Sequence, residues 1–124
     1  MAFSIDENLI MKIRKGTTGE FSIEELPENF NSCTARLVIK KDESAKDYSA
    51  PVNITATVTD RKITFNINVE DSDALIVENG EDSSTYKWGV LVEDGTGELA
   101  VNIIPENFDP MPDCIVYPEI GGNN

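Results

Sequence analysis

Apolar and polar residues alternate along several stretches of this chain, and the alternation is clearest in two of them. From Lys62 to Val69, isoleucine, phenylalanine and valine occupy every second position, with threonine and asparagine between them. Thr85 to Val92 repeats the pattern. A period of two is that of a β-strand that buries one face. The polar connection Glu70 to Ser84 predicts a crossing between two sheets, with a helical turn at Asp71 to Leu75.

The same alternation predicts strands over most of the remaining chain. Asp60 and Arg61 are short enough to close a hairpin, and the glycine-rich segment 93–97 predicts a second one. About seven or eight strands, with turns at roughly ten-residue spacing, predict an all-β fold, an antiparallel immunoglobulin-like β-sandwich. The other predicted strands are Leu9 to Ile13, Phe21 to Ile23, Thr34 to Lys41, Val52 to Val58, Leu99 to Ile103 and Cys114 to Tyr117.

Length and composition predict one domain with a single core. The 124 residues are 40% hydrophobic, and no stretch approaches the ~20 apolar residues of a membrane-spanning helix. We expect the sandwich to cover residues 1–124, with its core at about 9–117 and a flexible tail at 118–124. Met1 to Asn8 lacks the basic opening of a secretory signal, so we expect a mature start here or cytoplasmic synthesis and use.

The charge is strongly acidic, with 23 acidic against 10 basic residues and a net charge of −13. Such a chain repels nucleic acid and anionic lipid, so we expect neither as a partner. The acidity is compatible with an ordinary solvated surface, with a basic partner, or with mimicry of DNA.

Candidate chemistry is sparse. The chain has no histidine, and neither a nucleophile beside a base nor a converging carboxylate pair can be identified, so we expect no catalytic residues and no enzyme activity. Cys33 and Cys114 lack zinc-site spacing, which leaves buried thiols or a disulfide. Acidic loops at 71–73 and 93–98 are either solvated turns or calcium ligands. Gly16 to Gly19 predicts a hairpin or bulge turn rather than a phosphate loop. We expect no metal and no cofactor.

The aromatic residues divide into a core set and a loop set. Tyr86 and Trp88 share the apolar face of their strand, which favours a core position over a sugar-stacking platform. The tetrapeptide Pro27 to Phe30 recurs at Pro105 to Phe108, which indicates either a shared loop structure or coincidence. Four aromatic residues outside the strand cores are candidates for contact loops: Phe30, Tyr48, Phe108 and Tyr117.

A series of short motifs carries a family resemblance. Ile13 to Ile23 runs from an apolar strand through an Arg-Lys-Gly-Thr-Thr turn into a Phe-x-Ile strand, and Ala35 to Lys41 is an apolar strand that ends in a basic pair. Ile63 to Ile67 precedes the acidic, leucine-ended turn Asp71 to Leu75, and Tyr86 to Val90 lies before an Asp-Gly hairpin. In this order the motifs resemble the immunoglobulin-like N-terminal domain of phage baseplate upper proteins and related tail or fibre proteins.

The resemblance covers most of the chain and implies a structural role. It implies a virion protein of a phage or prophage tail or baseplate, located in the virion or in the host cytoplasm before assembly. Its partners would be other virion proteins and copies of itself, and it carries over no catalytic residues. The core signature of this resemblance is Phe21, Leu37, Phe65, Tyr86, Trp88 and Val90.

Two other classes of function remain open from the sequence. A β-sandwich of this size also serves as a carbohydrate-binding or surface-binding module, whose signature would be exposed aromatic side chains. An acidic inhibitor that mimics nucleic acid would instead concentrate its charge on one face, and its binding would weaken as salt rises.

Overall fold

The structure is a computed structural model that describes residues 3–46, 49–106 and 108–120. The chain is mostly β, with 45% strand and 8% helix, and its mixed sheets curl into a half-barrel. Strand positions agree with the alternating stretches of the sequence. The strands are β1 (Phe3–Ile5), β2 (Met11–Arg14), β3 (Gly19–Ile23), β4 (Thr34–Lys40), β5 (Val52–Thr57), β6 (Ile63–Ile67), β7 (Ser84–Glu93), β8 (Ala100–Ile104) and β9 (Asp113–Tyr117), and helix α1 spans Val69–Asp73.

The described strands form two sheets. The larger sheet has the order β1-β2-β9-β7-β4-β5, with β8 also paired to β7, and the smaller sheet consists of β3 and β6. All pairs are antiparallel except β2 with β9, which run parallel with Met11 beside Cys114. The prediction of an antiparallel fold is therefore wrong for this pair. Parallel neighbours need a long connection, and nearly the whole chain separates these two strands.

Two local predictions need correction. Asp60 and Arg61 do form the predicted turn, both with positive φ, but the ladder stops at the bridge between Thr59 and Lys62 because β5 and β6 diverge into different sheets. The predicted core limit at about residue 9 is also wrong. Strand β1 was not predicted, and it contributes Phe3, which is 8% exposed, to the core.

The core lies between the two sheets and is centred on Trp88. This side chain is fully buried, and the Phe21 ring meets it edge-on with 5.6 Å between ring centroids. The indole Nε1 donates a hydrogen bond to the Leu9 carbonyl at 2.9 Å, so the ring is fixed by polar as well as apolar contacts. Of the core signature, Phe21 is half-buried, and five residues are buried: Leu37, Phe65, Tyr86, Trp88 and Val90.

Helix α1 forms the predicted helical turn in the connection between β6 and β7. Asn68 caps it: the side chain accepts a hydrogen bond from the Asp71 N–H, and the Asp71 carboxylate accepts one from the Asn68 N–H. Downstream, the Tyr86 hydroxyl accepts from the Ile76 N–H at 2.8 Å and donates to the Ile76 carbonyl at 2.9 Å. The tyrosine thereby attaches the connection to the core.

Candidate functional site

An open apolar groove of about 730 Å³ lies at one flank of the sheets. The turn before β2, the end of β3 and the end of β8 form its floor, and the described part of the connection from β8 to β9, residues 105–106 and 108–112, forms its wall. We call this connection the wall loop. Most of the lining is apolar, and the principal side chains are Leu9, Ile10, Ile23, Ile103, Pro110 and Met111.

The wall loop is held against the larger sheet by close backbone contact. Gly89 faces it from β7, and a Cβ at this position would lie 2.7 Å from the Ile104 carbonyl oxygen and 3.3 Å from the Met111 methyl carbon. Only glycine leaves room for this approach. The Trp88 N–H donates to the Pro112 carbonyl at 3.1 Å, and the Met111 N–H donates to the Glu43 carboxylate. These contacts attach the wall loop to the larger sheet.

The rim of the groove is acidic. Glu106 and Asp109 are exposed on the wall loop. Lys87 is the basic residue of the lining, and its ammonium lies 2.5 Å from the Asp113 carboxylate. Seven acidic residues and no lysine or arginine lie between Trp88 and the C-terminus. An apolar floor with an acidic rim is complementary to a ligand with apolar and basic groups.

Strand β8 provides an open sheet edge beside the groove. Among the described strands it pairs with β7 alone. The Asp94 N–H donates to the Leu99 carbonyl and Val101 lies opposite Val92, so the antiparallel alternation directs the backbone groups of Ala100 and Asn102 away from β7. Both residues are exposed. Such an edge is a template for another strand.

The structure separates the four predicted contact residues. Phe30 is 8% exposed and belongs to the core, so its assignment to a contact loop is wrong; a 3-10 turn at Glu28–Phe30 directs it inward. Phe108 is fully exposed on the wall loop. Tyr117 is half-buried in β9, with the Arg14 guanidinium over its ring. Tyr48 lies outside the described residues.

The phenylalanines of the two copies of the repeated tetrapeptide lie in different environments. Pro27 to Phe30 forms the 3-10 turn and buries its phenylalanine. At the second copy the Ile104–Pro105 bond is cis and Phe108 is exposed. Identical residues therefore serve different environments, which contradicts a shared loop structure.

Polar groups of the glycine turn 16–19 and of the acidic loop 93–98 form hydrogen bonds within the protein. The N–H groups of Gly16 and Thr17 donate to the Ser72 hydroxyl oxygen at 3.1 and 3.2 Å. The Asp94 carboxylate accepts from the Thr96 N–H, and this bond is the main cause of its lowered pKa. Within residues 3–46, 49–106 and 108–120, no group of three or more acidic or cysteine side chains is placed to hold a metal ion.

The two cysteines are buried free thiols, which rules out the disulfide alternative. Burial, with a smaller contribution from Asp113, raises the pKa of the Cys114 thiol to about 12. A thiol with this pKa stays protonated at neutral pH and is a poor nucleophile.

Sequence reasoning missed the apolar lining of the groove. Two prolines lie between Ile103 and Met111, which indicates a loop but gives no sign of where it packs. The acidic rim did leave a signal in the sequence, because the chain from Trp88 onward contains acidic residues and no lysine or arginine.

Two comparisons with known proteins, against family models and against curated sequences, gave no match. In the part of the chain that the structure describes, no helix has the length and apolar character needed to cross a bilayer.

Proposed function

We propose that this protein is a non-enzymatic structural component of a phage or prophage virion, in the tail or baseplate, and acts through protein–protein contacts. The observation that carries the contact role is the open apolar groove with its acidic rim beside the unpaired edge of β8. The virion setting depends on the resemblance of the ordered motifs from Ile13 to Val90. In an assembly, sheet edges and loops at one flank make such contacts.

The same proposal includes the finer description of the fold as an immunoglobulin-like sandwich. Three features support it. The small β3–β6 sheet packs on the large one through the edge-on pair of Phe21 and Trp88. Tyr86 lies two residues before the central Trp88, and its hydroxyl bonds the backbone of Ile76 ten residues upstream. A tyrosine hydroxyl that bonds upstream backbone is also found in such sandwiches, at their tyrosine corner. Strands β4 and β7 pair side by side in the large sheet.

Mass spectrometry of purified virus particles tests the virion role. Particles induced from the cell that carries the gene would be separated on a density gradient, and peptides of this chain would be quantified against a major tail protein in each fraction. We expect the chain to co-migrate with intact particles at a constant molar ratio. Recovery only in the soluble fraction, with tail proteins present in the particles, would overturn the proposal.

The oligomeric state is a separate part of the proposal. Size exclusion with light scattering, over a hundredfold range of concentration, measures whether the isolated chain forms a symmetric homo-oligomer. A net charge of −13 opposes self-association, so we expect assembly to need high concentration or a virion partner. A chain that stays monomeric and is also missing from particles has no structural role in them.

The alternative of a carbohydrate-binding module has less support. Its signature, a platform of exposed aromatic rings, is reduced by the burial of Phe30 and the partial burial of Tyr117. The alternative of an acidic inhibitor draws support from the absence of basic residues after Lys87. An inhibitor would bind a basic nucleic-acid-binding enzyme, and that binding would collapse at high salt.

A further inference from the structure

The groove and the edge of β8 lie together, and the combination restricts what can bind there. Leu99, just before β8, and Val101 and Ile103 within it are only partly buried against the core. Ile23 of β3 faces the same opening from the smaller sheet. The apolar space between the two sheets is thus open along this flank. A strand laid along β8 would place every second side chain in that space.

An added strand also needs backbone groups on β8 with which it can form hydrogen bonds. The N–H and C=O groups of Ala100 and Asn102 point away from β7 and meet no other strand among the described residues. Strand β8 has no charged residue and no proline, which are two of the common means of protecting an edge. Its one irregularity is a register shift opposite Val90 and Leu91, at its C-terminal end. The strand can accept the main-chain hydrogen bonds of a partner strand.

Charge decides between a second copy of this chain and a different partner. Glu98 lies just before β8, and Glu106 and Asp109 lie just after it, all exposed. A second copy paired antiparallel through the same edge would bring the acidic end residues of one copy against those of the other, since in a two-fold interface each contact occurs twice. Like charges facing each other destabilise such a pair. A strand with lysine or arginine between its apolar residues meets the opposite charge.

We infer that the edge of β8 and the groove bind an extended segment of a partner protein in which apolar residues alternate with lysine or arginine. The segment adds antiparallel or parallel to β8, fills the groove with its apolar side chains and sets its basic side chains against the acidic rim. This inference deepens the proposed function, because it names the chemistry of the partner for the contact surface on which that function rests.

A set of three synthetic peptides tests the inference on the full chain. The peptide KVKIKVK carries both features, EVEIEVE keeps the apolar residues but reverses the charge, and KSKSKSK keeps the charge but removes the apolar residues. By isothermal titration calorimetry we expect KVKIKVK to bind about tenfold or more tightly than either control, from the rim charges and the apolar contacts together. Equal binding of EVEIEVE or KSKSKSK would overturn the inference.

Variants of Asn102 test strand addition. Asn102→Pro removes an N–H that points away from β7 and so keeps the β7–β8 ladder, whereas Asn102→Ala keeps the N–H. We expect Asn102→Pro to lose binding of KVKIKVK and Asn102→Ala to retain it. Amide hydrogen exchange of the wild-type chain provides a readout that does not depend on the folding of any variant. Bound KVKIKVK should slow exchange at Ala100 and Asn102, and unchanged exchange at both would refute strand addition.

Charge reversal tests the rim. Glu106→Lys combined with Asp109→Lys should weaken KVKIKVK about tenfold. Glu81→Lys combined with Asp82→Lys changes the net charge equally on an exposed loop away from β8, and should weaken it less than about threefold. Equal losses would mean that overall charge, not this rim, attracts the peptide, and would overturn the inference.

Other outcomes separate this inference from the proposed function. A concentration-dependent dimer that Asn102→Pro dissolves would identify a second copy as the occupant and overturn the inference. If particles contain the chain but KVKIKVK fails to bind, the virion role stands and the inference falls. If KVKIKVK binds as expected but particles lack the chain, the surface stands and the virion role falls.

Discussion

Replacement of Tyr86 by phenylalanine is the sharpest test of how the connection between β6 and β7 is held. The ring is 4% exposed, and its hydroxyl makes two hydrogen bonds, both with the backbone of Ile76. Each is worth about 0.5–1.5 kcal/mol net. The Ile76 side chain is 61% exposed, so its freed backbone groups partly regain water. We therefore expect Tyr86→Phe to lower the free energy of unfolding by about 1–2 kcal/mol.

The single tryptophan makes the measurement direct. Trp88 is fully buried, so its fluorescence changes when the domain unfolds in urea, and the transition yields the free energy of unfolding. A loss of this size should also lower the melting temperature by about 3–10 °C in a domain of this length.

Tyr117→Phe is the matched control, because it removes the same hydroxyl from a half-buried ring. No hydrogen bond of the Tyr117 hydroxyl is found among the described residues, and the ring can keep its contact with Arg14. We expect a change below about 0.5 kcal/mol. If Tyr86→Phe unfolds at the same urea concentration as Tyr117→Phe, the reasoning that the tyrosine anchors the connection is wrong.

Three further predictions use the same unfolding assay. Burial raises the pKa of Cys114 to about 12, so the folded state favours the protonated thiol. The contribution of this thiol to stability is complete below pH 9 and falls as the pH rises toward 12. Cys114→Ala should make this fall in stability less steep, and an unchanged slope would contradict the prediction. Asn68→Ala removes the cap of α1 and should lower the free energy of unfolding by about 1 kcal/mol. The control Asn66→Ala, at an exposed position of β6, should lower it by less than about 0.5 kcal/mol. Similar losses in the two variants would show that the Asn68 cap does not stabilise the helix. Gly89→Ala introduces a methyl group 2.7 Å from the Ile104 carbonyl oxygen and should lower the free energy of unfolding by about 1–3 kcal/mol. Unchanged stability would show that the wall loop can move away from the sheet without loss.

The positions of most strands were predictable because strand formation leaves a local trace. Where one face is buried, apolar residues recur at every second position, as in β4, β5, β6, β7 and β8. The helical turn α1 was also predictable. Strand β1 has only three residues, which is too short for alternation to stand out, and it was missed.

The groove and its surroundings were only partly predictable. Of the four aromatic residues expected in contact loops, Phe108 is exposed beside the groove, while Phe30 is in the core. A phenylalanine in a polar loop gives the same local pattern whether the loop turns it inward or outward. The groove joins residues from four separate parts of the chain, and no local pattern shows that they meet.

The sequence by itself determined the approximate positions of most strands, the acidic charge and the absence of histidine, because these depend on residue type and spacing along the chain. The tertiary structure alone decided which sheet each strand joins, the parallel pairing of β2 with β9, the burial of Phe30, and the apolar groove beside the open edge of β8. Those features arise from packing between distant segments, where one glycine at position 89 lets the wall loop approach the sheet. Such packing depends on the whole set of contacts rather than on any single stretch.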